Sequence, residues 1–336
     1  MARPEGAVGA LPGAVAFVAA MRVLVAPDKF KGTFTAGQIA DALARGLAGV
    51  EADLCPIADG GDGTASVLVR ALGGEWVEAA SRDALGRPIK ARYVMLSDEV
   101  AVVEVSEASG LSRLAELERD PLGATSVGTG ELIADAIGRG ADRVLVAVGG
   151  SATTDAGLGA LSAFDPGRTE IVCLCDVSDP FEGALRYAPQ KGAGPEELSL
   201  LRRRLTEAAS RLPKDPRGVP RAGAAGGLAG GFWAHGASLV SGARFVLDCV
   251  GFDRRLARAD LVITGEGRLD ESSLRGKAVA EVARRSHAAG VPAHAVVGAN
   301  AASRSVVEKL GLRSVCEASD PNTMAACARR IVFDGG

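Results

Sequence analysis

Neither sign of charge is in excess in this 336-residue chain: 38 Lys and Arg stand against 41 Asp and Glu, a net of -3. That balance argues against DNA, or nucleic acid of any kind, as the main partner. Histidine is scarce. His235, His287 and His294 show neither metal-pair spacing nor a nucleophile motif, which disfavours a His-centred mechanism. The six cysteines, Cys55, Cys173, Cys175, Cys249, Cys316 and Cys327, form no Cys-x-x-Cys pair and lie mostly in apolar runs. Buried reduced thiols in a reducing, cytoplasmic compartment are therefore expected rather than disulfides or zinc ligands. No apolar run reads as a membrane span. The uncharged stretch between Arg221 and Arg244 holds seven glycines and His235, the pattern of a Gly-rich loop and helix. Repeats and heptads are absent too, which leaves no basis for a purely structural role.

What is present is an ordinary globular composition, 47% hydrophobic and 24% charged, long enough for two domains. Gly6 to Met21 faintly imitates a signal peptide, but Glu5 offsets Arg3 and Pro12 breaks the apolar run. Residues 1–20 read instead as an N-terminal extension outside the fold. From Met21 onward, short apolar runs alternate with Gly-rich turns and amphipathic segments, the pattern of an α/β fold. Val23 to Ala26, Asp53 to Ala58, Leu261 to Ile263, Ala293 to Val297 and Ser314 to Cys316 are five strands that would build one flavodoxin-like parallel sheet. Thr35 with Gln38 forms a capping box ahead of a stripe of Ile39, Leu43 and Leu47. A further helix is expected from Lys277 to Ala289. Gly74 to Glu107 alternates as an antiparallel meander, the start of an inserted domain that would also hold strands Val144 to Val148 and Ile171 to Leu174. The expected division is 21–60 with 255–336 for the interrupted domain and 61–254 for the larger insertion, an α/β unit with a mixed sheet.

In an open parallel sheet, ligands bind beyond the carboxyl ends of the strands. Those ends are polar here. Asp28, Lys29 and Lys31 follow the first strand, Asp59-Gly60-Gly61-Asp62-Gly63-Thr64 the second, and Thr264-Gly265-Glu266-Gly267-Arg268-Leu269-Asp270 the third. Carboxylates there suit Mg²⁺, and the cations suit an anionic substrate or a transferring phosphoryl group, although N-caps and loop salt bridges account for each motif taken singly. Val148 to Asp155 reads as an anion cradle of glycines and hydroxyls followed by a helix N-terminus, with a capped glycine turn as the equal alternative. Cys175-Asp176-Val177 and Pro189-Gln190-Lys191-Gly192 add an acid and a base. Known motifs fail: Gly276-Lys277 is no Walker loop, Gly128-Thr129-Gly130-Glu131 no dinucleotide fingerprint, and Gly149 to Thr153 no nucleophile elbow.

Seven segments in order, Ala26 to Gly32, Ala58 to Thr64, Thr125 to Glu131, Gly149 to Thr153, Pro189 to Ala193, Gly223 to Gly227 and Thr264 to Asp270, resemble the bacterial two-domain glycerate kinase family. The resemblance runs from Met21 to about Asn300. It implies an ATP- and Mg²⁺-dependent kinase acting on D-glycerate, usually at the 2-hydroxyl, and it is compatible with a homodimer. On that reading Asp59, Glu266 and Asp270 hold Mg²⁺, while Gly149, Gly150, Ser151 and Thr153 contact phosphate. Lys31 and Arg268 neutralise charge, and Asp155 or Asp176 positions the hydroxyl. Two departures stand out: Phe164 to Ile171 is much shorter than in similar proteins, and Asp62 stands where the family commonly has Glu. A relative that binds glycerate or nucleotide without turnover is the competing reading.

Overall fold

The computed structural model describes residues 21–334, so the expected extension, 1–20, lies outside the described residues. Val23, Leu24, Val25 and Ala26 have no accessible surface, as a strand covered on both faces requires. They form β1 (Arg22–Pro27), and β2 (Glu51–Leu54) pairs parallel with it. The chain then lays down β3 (Glu75–Arg82), β4 (Pro88–Met95), β5 (Val100–Glu104), β6 (Arg143–Ala147), β7 (Glu170–Cys175) and β8 (Ser238–Ser241). It returns with β9 (Leu261–Gly265), β10 (Arg268–Leu269), β11 (Ala293–Val297), β12 (Ala299–Asn300) and β13 (Val315–Glu317).

The first sheet runs β13-β11-β9-β1-β2, all parallel, which is the flavodoxin order. The second runs β3-β4-β5-β6-β7-β8, antiparallel through β3, β4 and β5 and parallel beyond, the mixed sheet of an inserted α/β domain. The helix Ala36–Arg45 starts as its capping box dictates: the Gln38 N–H donates to Thr35 Oγ1 at 3.2 Å and the Thr35 N–H to Gln38 Oε1 at 2.9 Å. The helix Ala278–Ala288 matches its expected span within a residue at each end.

Two expectations are corrected. The second strand begins and ends earlier than Asp53 to Ala58. The extended chain still bonds β1 beyond Leu54, with the Cys55 N–H to Val25 O at 2.8 Å and the Ile57 N–H to Pro27 O at 3.0 Å. Pro56, without an N–H, ends the regular part at the sheet edge. Second, Cys316 and Cys327 are joined as a disulfide, their Cα atoms 6.0 Å apart, because the helix Pro321–Phe333 packs its Cys327 face against edge strand β13. Cys55, Cys173, Cys175 and Cys249 remain free thiols.

The shortened passage is a turn between the four-residue helix Leu158–Leu161 and β7, in which the Thr169 N–H bonds Pro166 O. Phe164 packs edge-on against Phe232 at 5.6 Å, and β6 and β7 stay in register over five residue pairs. The sheet therefore survives the shortening intact. Among the described residues no helix is long and apolar enough to cross a membrane.

Candidate active site

The loops that follow β1, β2, β6 and β7 converge, so the carboxyl ends of both sheets open on one cleft. A cavity of about 350 Å³ lies there, lined by Lys29, Lys31, Asp59, Asp62, Gly149, Gly150, Ser151, Asp176, Lys191 and Lys277 among others. Two cavities neighbour it: one of about 450 Å³ along the loops of the first sheet, and one of about 650 Å³ that reaches from the loop after β1 to Trp76, Arg92 and Glu104 of the second sheet. Lys29 lines all three.

Charge is tightly organised around that lysine. Its Nζ stands 3.8 Å from Asp28 Oδ1 and 3.6 Å from Asp59 Oδ1. Burial works against the ammonium, but Asp28, Asp59, Asp62 and Glu104 outweigh it and hold Lys29 well above lysine's usual range. Burial likewise opposes ionisation of Asp59, yet Lys29 and the Gly61 N–H, which donates at 3.2 Å, keep its carboxyl below the usual range. Asp28 goes the other way, pushed up to about 7 by burial despite Lys29. Desolvation, followed by the charge of Asp59, raises Asp176 to about 6, so at neutral pH it is an ionised carboxylate of unusual basicity. Burial also raises Glu266, which accepts from Ser273 Oγ at 2.6 Å and faces Lys277 at 3.6 Å.

The Gly149 loop lies close against Gly61, after β2, and Asp176, after β7. A Cβ on Gly149 would stand 2.6 Å from Gly61 Cα and 3.0 Å from Asp176 Oδ2, and Gly150 is left-handed with φ 78°. Only glycines let the backbone lie against the cavity here. Gly149, Gly150 and Ser151 line it. Thr153 does not: it is fully buried, its N–H donates to Ser151 Oγ at 3.0 Å, and its hydroxyl lies 3.1 Å from the same oxygen. Nor does a helix begin at the cradle, because residues 152–157 form a loop and the next helix has only four residues. Phosphate contact is thus left to the glycine backbone and Ser151, not to a helix terminus.

Asp155 is also corrected. Its carboxylate accepts from the Ser126 N–H at 2.9 Å, Ser126 Oγ at 2.7 Å, the Gly159 N–H at 3.2 Å and the Gly157 N–H at 3.1 Å. Those bonds consume it as a loop fastener. Asp270 caps the short helix Glu271–Arg275 through bonds from the Ser272 N–H at 2.8 Å and Ser272 Oγ at 2.6 Å. Arg268, exposed and 3.3 Å from Asp270, lines only the 450 Å³ cavity. The expected triad of Asp59, Glu266 and Asp270 is therefore not assembled, and among the described residues no three His, Cys, Asp or Glu side chains form a metal cage. The donor set nonetheless fits Mg²⁺ carried mainly by phosphate oxygens, which needs only one or two carboxylates. Asp59 and Glu266, whose charges act on each other, are the two that could hold it. Sequence reasoning left Lys29, Lys191 and Lys277 without roles. Lys29 sits visibly at a strand end, Lys277 was set aside with the failed Walker match, and nothing in Pro189-Gln190-Lys191 signals burial.

A cleft between two α/β domains that offers lysines, a glycine-lined anion loop and a basic carboxylate defines a phosphotransferase acting on a small molecule. The glycerate kinase family model matches residues 23–168 and 161–330, its two parts meeting at the shortened passage. A glycerate kinase of Halalkalibacterium halodurans is 34% identical over 322 residues, covering 82% of this chain and 85% of that protein. The glycerate 2-kinase of Escherichia coli is 34% identical over 316 residues, covering 80% and 83%. A crystal structure from Salmonella typhimurium LT2, of a protein put forward as glycerate kinase 2, superposes with a TM-score of 0.78 at 30% identity, covering 93% of this chain and 97% of that one. The chain belongs to the glycerate kinase family, enzymes that transfer phosphate to an alcohol group.

Proposed function

We propose that this enzyme transfers the γ-phosphoryl group of ATP to the 2-hydroxyl of D-glycerate, giving 2-phosphoglycerate and ADP. The observation that carries the reading is the meeting of Lys29, Lys31, the Gly149-Gly150-Ser151 backbone and Asp176 around one cavity. Asp176 takes the proton of the attacking hydroxyl, whose oxygen forms the new bond to phosphorus as the bond to the β–γ bridging oxygen breaks. Lys31 and Lys29 meet the charge on the transferring group, and the glycine N–H groups hold its oxygens. Mg²⁺, held by phosphate oxygens with Asp59 and Glu266, would neutralise phosphate charge. The 2-position follows the E. coli relative's activity as a glycerate 2-kinase.

Residues 21–60 with 255 onward, and 61–254, are the two domains of this reading, since every strand of each sheet falls within its own range. The reaction is placed in the cytoplasm; the four free cysteines accord with that compartment and the Cys316–Cys327 disulfide counts against it. Phosphorus NMR of the full chain with ATP, Mg²⁺ and D-glycerate tests the proposal in one spectrum. A growing 2-phosphoglycerate signal is expected. A 3-phosphoglycerate signal would overturn the regiochemistry, and intact ATP in the presence of folded protein would overturn the activity.

A further inference from the structure

Lys191 is only 3% exposed, yet it lines the 350 Å³ cavity. It ends the short turn Pro189–Lys191, where Gly192, left-handed at φ 98°, reverses the chain and leaves the side chain beneath the Gly149 loop. Its Nζ donates one bond, to Thr153 O at 2.5 Å. An ammonium has three donors, and a buried charge is stable only when partnered. The other lysines of the cavity are accounted for: Lys29 is paired with Asp28 and Asp59, Lys277 with Glu266, and Lys31 is exposed to water. Among the described residues, no carboxylate forms an ion pair with Lys191.

We propose that Lys191 binds the carboxylate of the acceptor, and so selects a hydroxy acid over a neutral polyol. The proposal rests on the glycerate kinase reading. Two observations favour the acceptor's carboxylate over a phosphate as the anion. Lys191 and Asp176 line the same cavity, and in a 2-hydroxy acid the carboxylate is attached to the carbon that bears the reacting hydroxyl. A base and a carboxylate-binding cation must therefore lie close together. Lys29 and Lys31, on the loop after β1, line the same cavity and remain for the phosphoryl group. The bond to Thr153 O fixes where the ammonium points, and Thr153 belongs to the loop that carries Ser151. Acceptor and phosphate subsites thus share one backbone segment.

The test is steady-state kinetics of wild type, Lys191→Met and Lys191→Arg with D-glycerate, its neutral amide and glycerol as acceptors. Circular dichroism checks that each variant folds, and Lys191→Gln takes the place of a variant that does not. Lys191→Met is expected to raise KM for D-glycerate about 100-fold, the scale of losing one buried charge pair, with KM for ATP nearly unchanged. It should erase most of the preference for D-glycerate over the amide and glycerol, while Lys191→Arg retains part of it. A folded neutral variant that keeps the wild-type preference, or loses ATP and glycerate affinity equally, would overturn the assignment. Wild type that phosphorylates no acceptor would instead overturn the kinase reading, and this proposal with it.

Discussion

Asp155 and Asp176 each follow a strand and loop in the second sheet, and in the sequence alone they compete for the same role beside the attacking hydroxyl. Their surroundings separate them. Asp155 receives three N–H bonds and one O–H bond that tie residues 126, 157 and 159 together. Asp176 lines the cavity and is held above the usual carboxylate range by desolvation and Asp59. Asp155→Asn is therefore expected to lower stability by about 2 kcal/mol, the loss of charge-assisted bonds in a fastened loop, with turnover per folded molecule near wild type. Asp176→Asn should lower kcat by roughly 10²- to 10⁴-fold, the range of general base catalysis, at an unchanged or higher melting temperature. Thermal denaturation followed by circular dichroism, paired with initial rates, separates the two. Full turnover in Asp176→Asn would remove it as the base.

The elements that carry these side chains are joined where the chain crosses between sheets, and there the packing is backbone on backbone. Gly242 opens the helix Gly242–Cys249. A methyl group on it would run into Asp59 O and stand 2.5 Å from Gly60 Cα. Gly60, left-handed at φ 97°, would in turn place a Cβ 2.6 Å from Leu174 O, next to the strand that delivers Asp176. Gly242→Ala is expected to lower stability by about 1–3 kcal/mol through overpacking and to lower kcat by displacing Asp59. Gly138→Ala, in open space at a helix end, should do neither. The same contrast explains what the sequence reveals. Buried strands such as Val23 to Ala26 and the Thr35 capping box announce themselves, because apolar runs and caps are local signals. The disulfide, the fastening role of Asp155 and the burial of Lys191 depend on how elements pack against one another, which periodicity does not carry. The strand ends point to the cleft but do not say which carboxylates are already engaged as caps.

Across the whole molecule, the three cavities join at Lys29, and on the proposed reading acceptor and nucleotide meet there, bound by groups of both sheets. Lys31 and Asp59 lie on loops of the first sheet, and Gly149, Asp176 and Lys191 on segments of the second. The chain passes between the two through residues 55–63 and 242–260, and the helix Gly242–Cys249 packs Ala243, Val246 and Leu247 into the core of the first sheet while Phe245 and Cys249 pack against the second. Binding that draws both walls together would exclude water from the phosphoryl group, which is how a kinase avoids hydrolysing its donor. Each ligand alone, at a hundred times its Kd, should raise stability by about 2.7 kcal/mol. If both favour one closed state, D-glycerate with a non-hydrolysable ATP analogue and Mg²⁺ should exceed the sum of the separate effects by about 1–3 kcal/mol, the usual size of coupling between sites. Small-angle X-ray scattering should then show a smaller radius of gyration only with both ligands present. Additive shifts at constant radius would mean that the cleft is preformed, and protection of ATP would then have to come from the Gly149 loop, Lys29 and Lys31 alone.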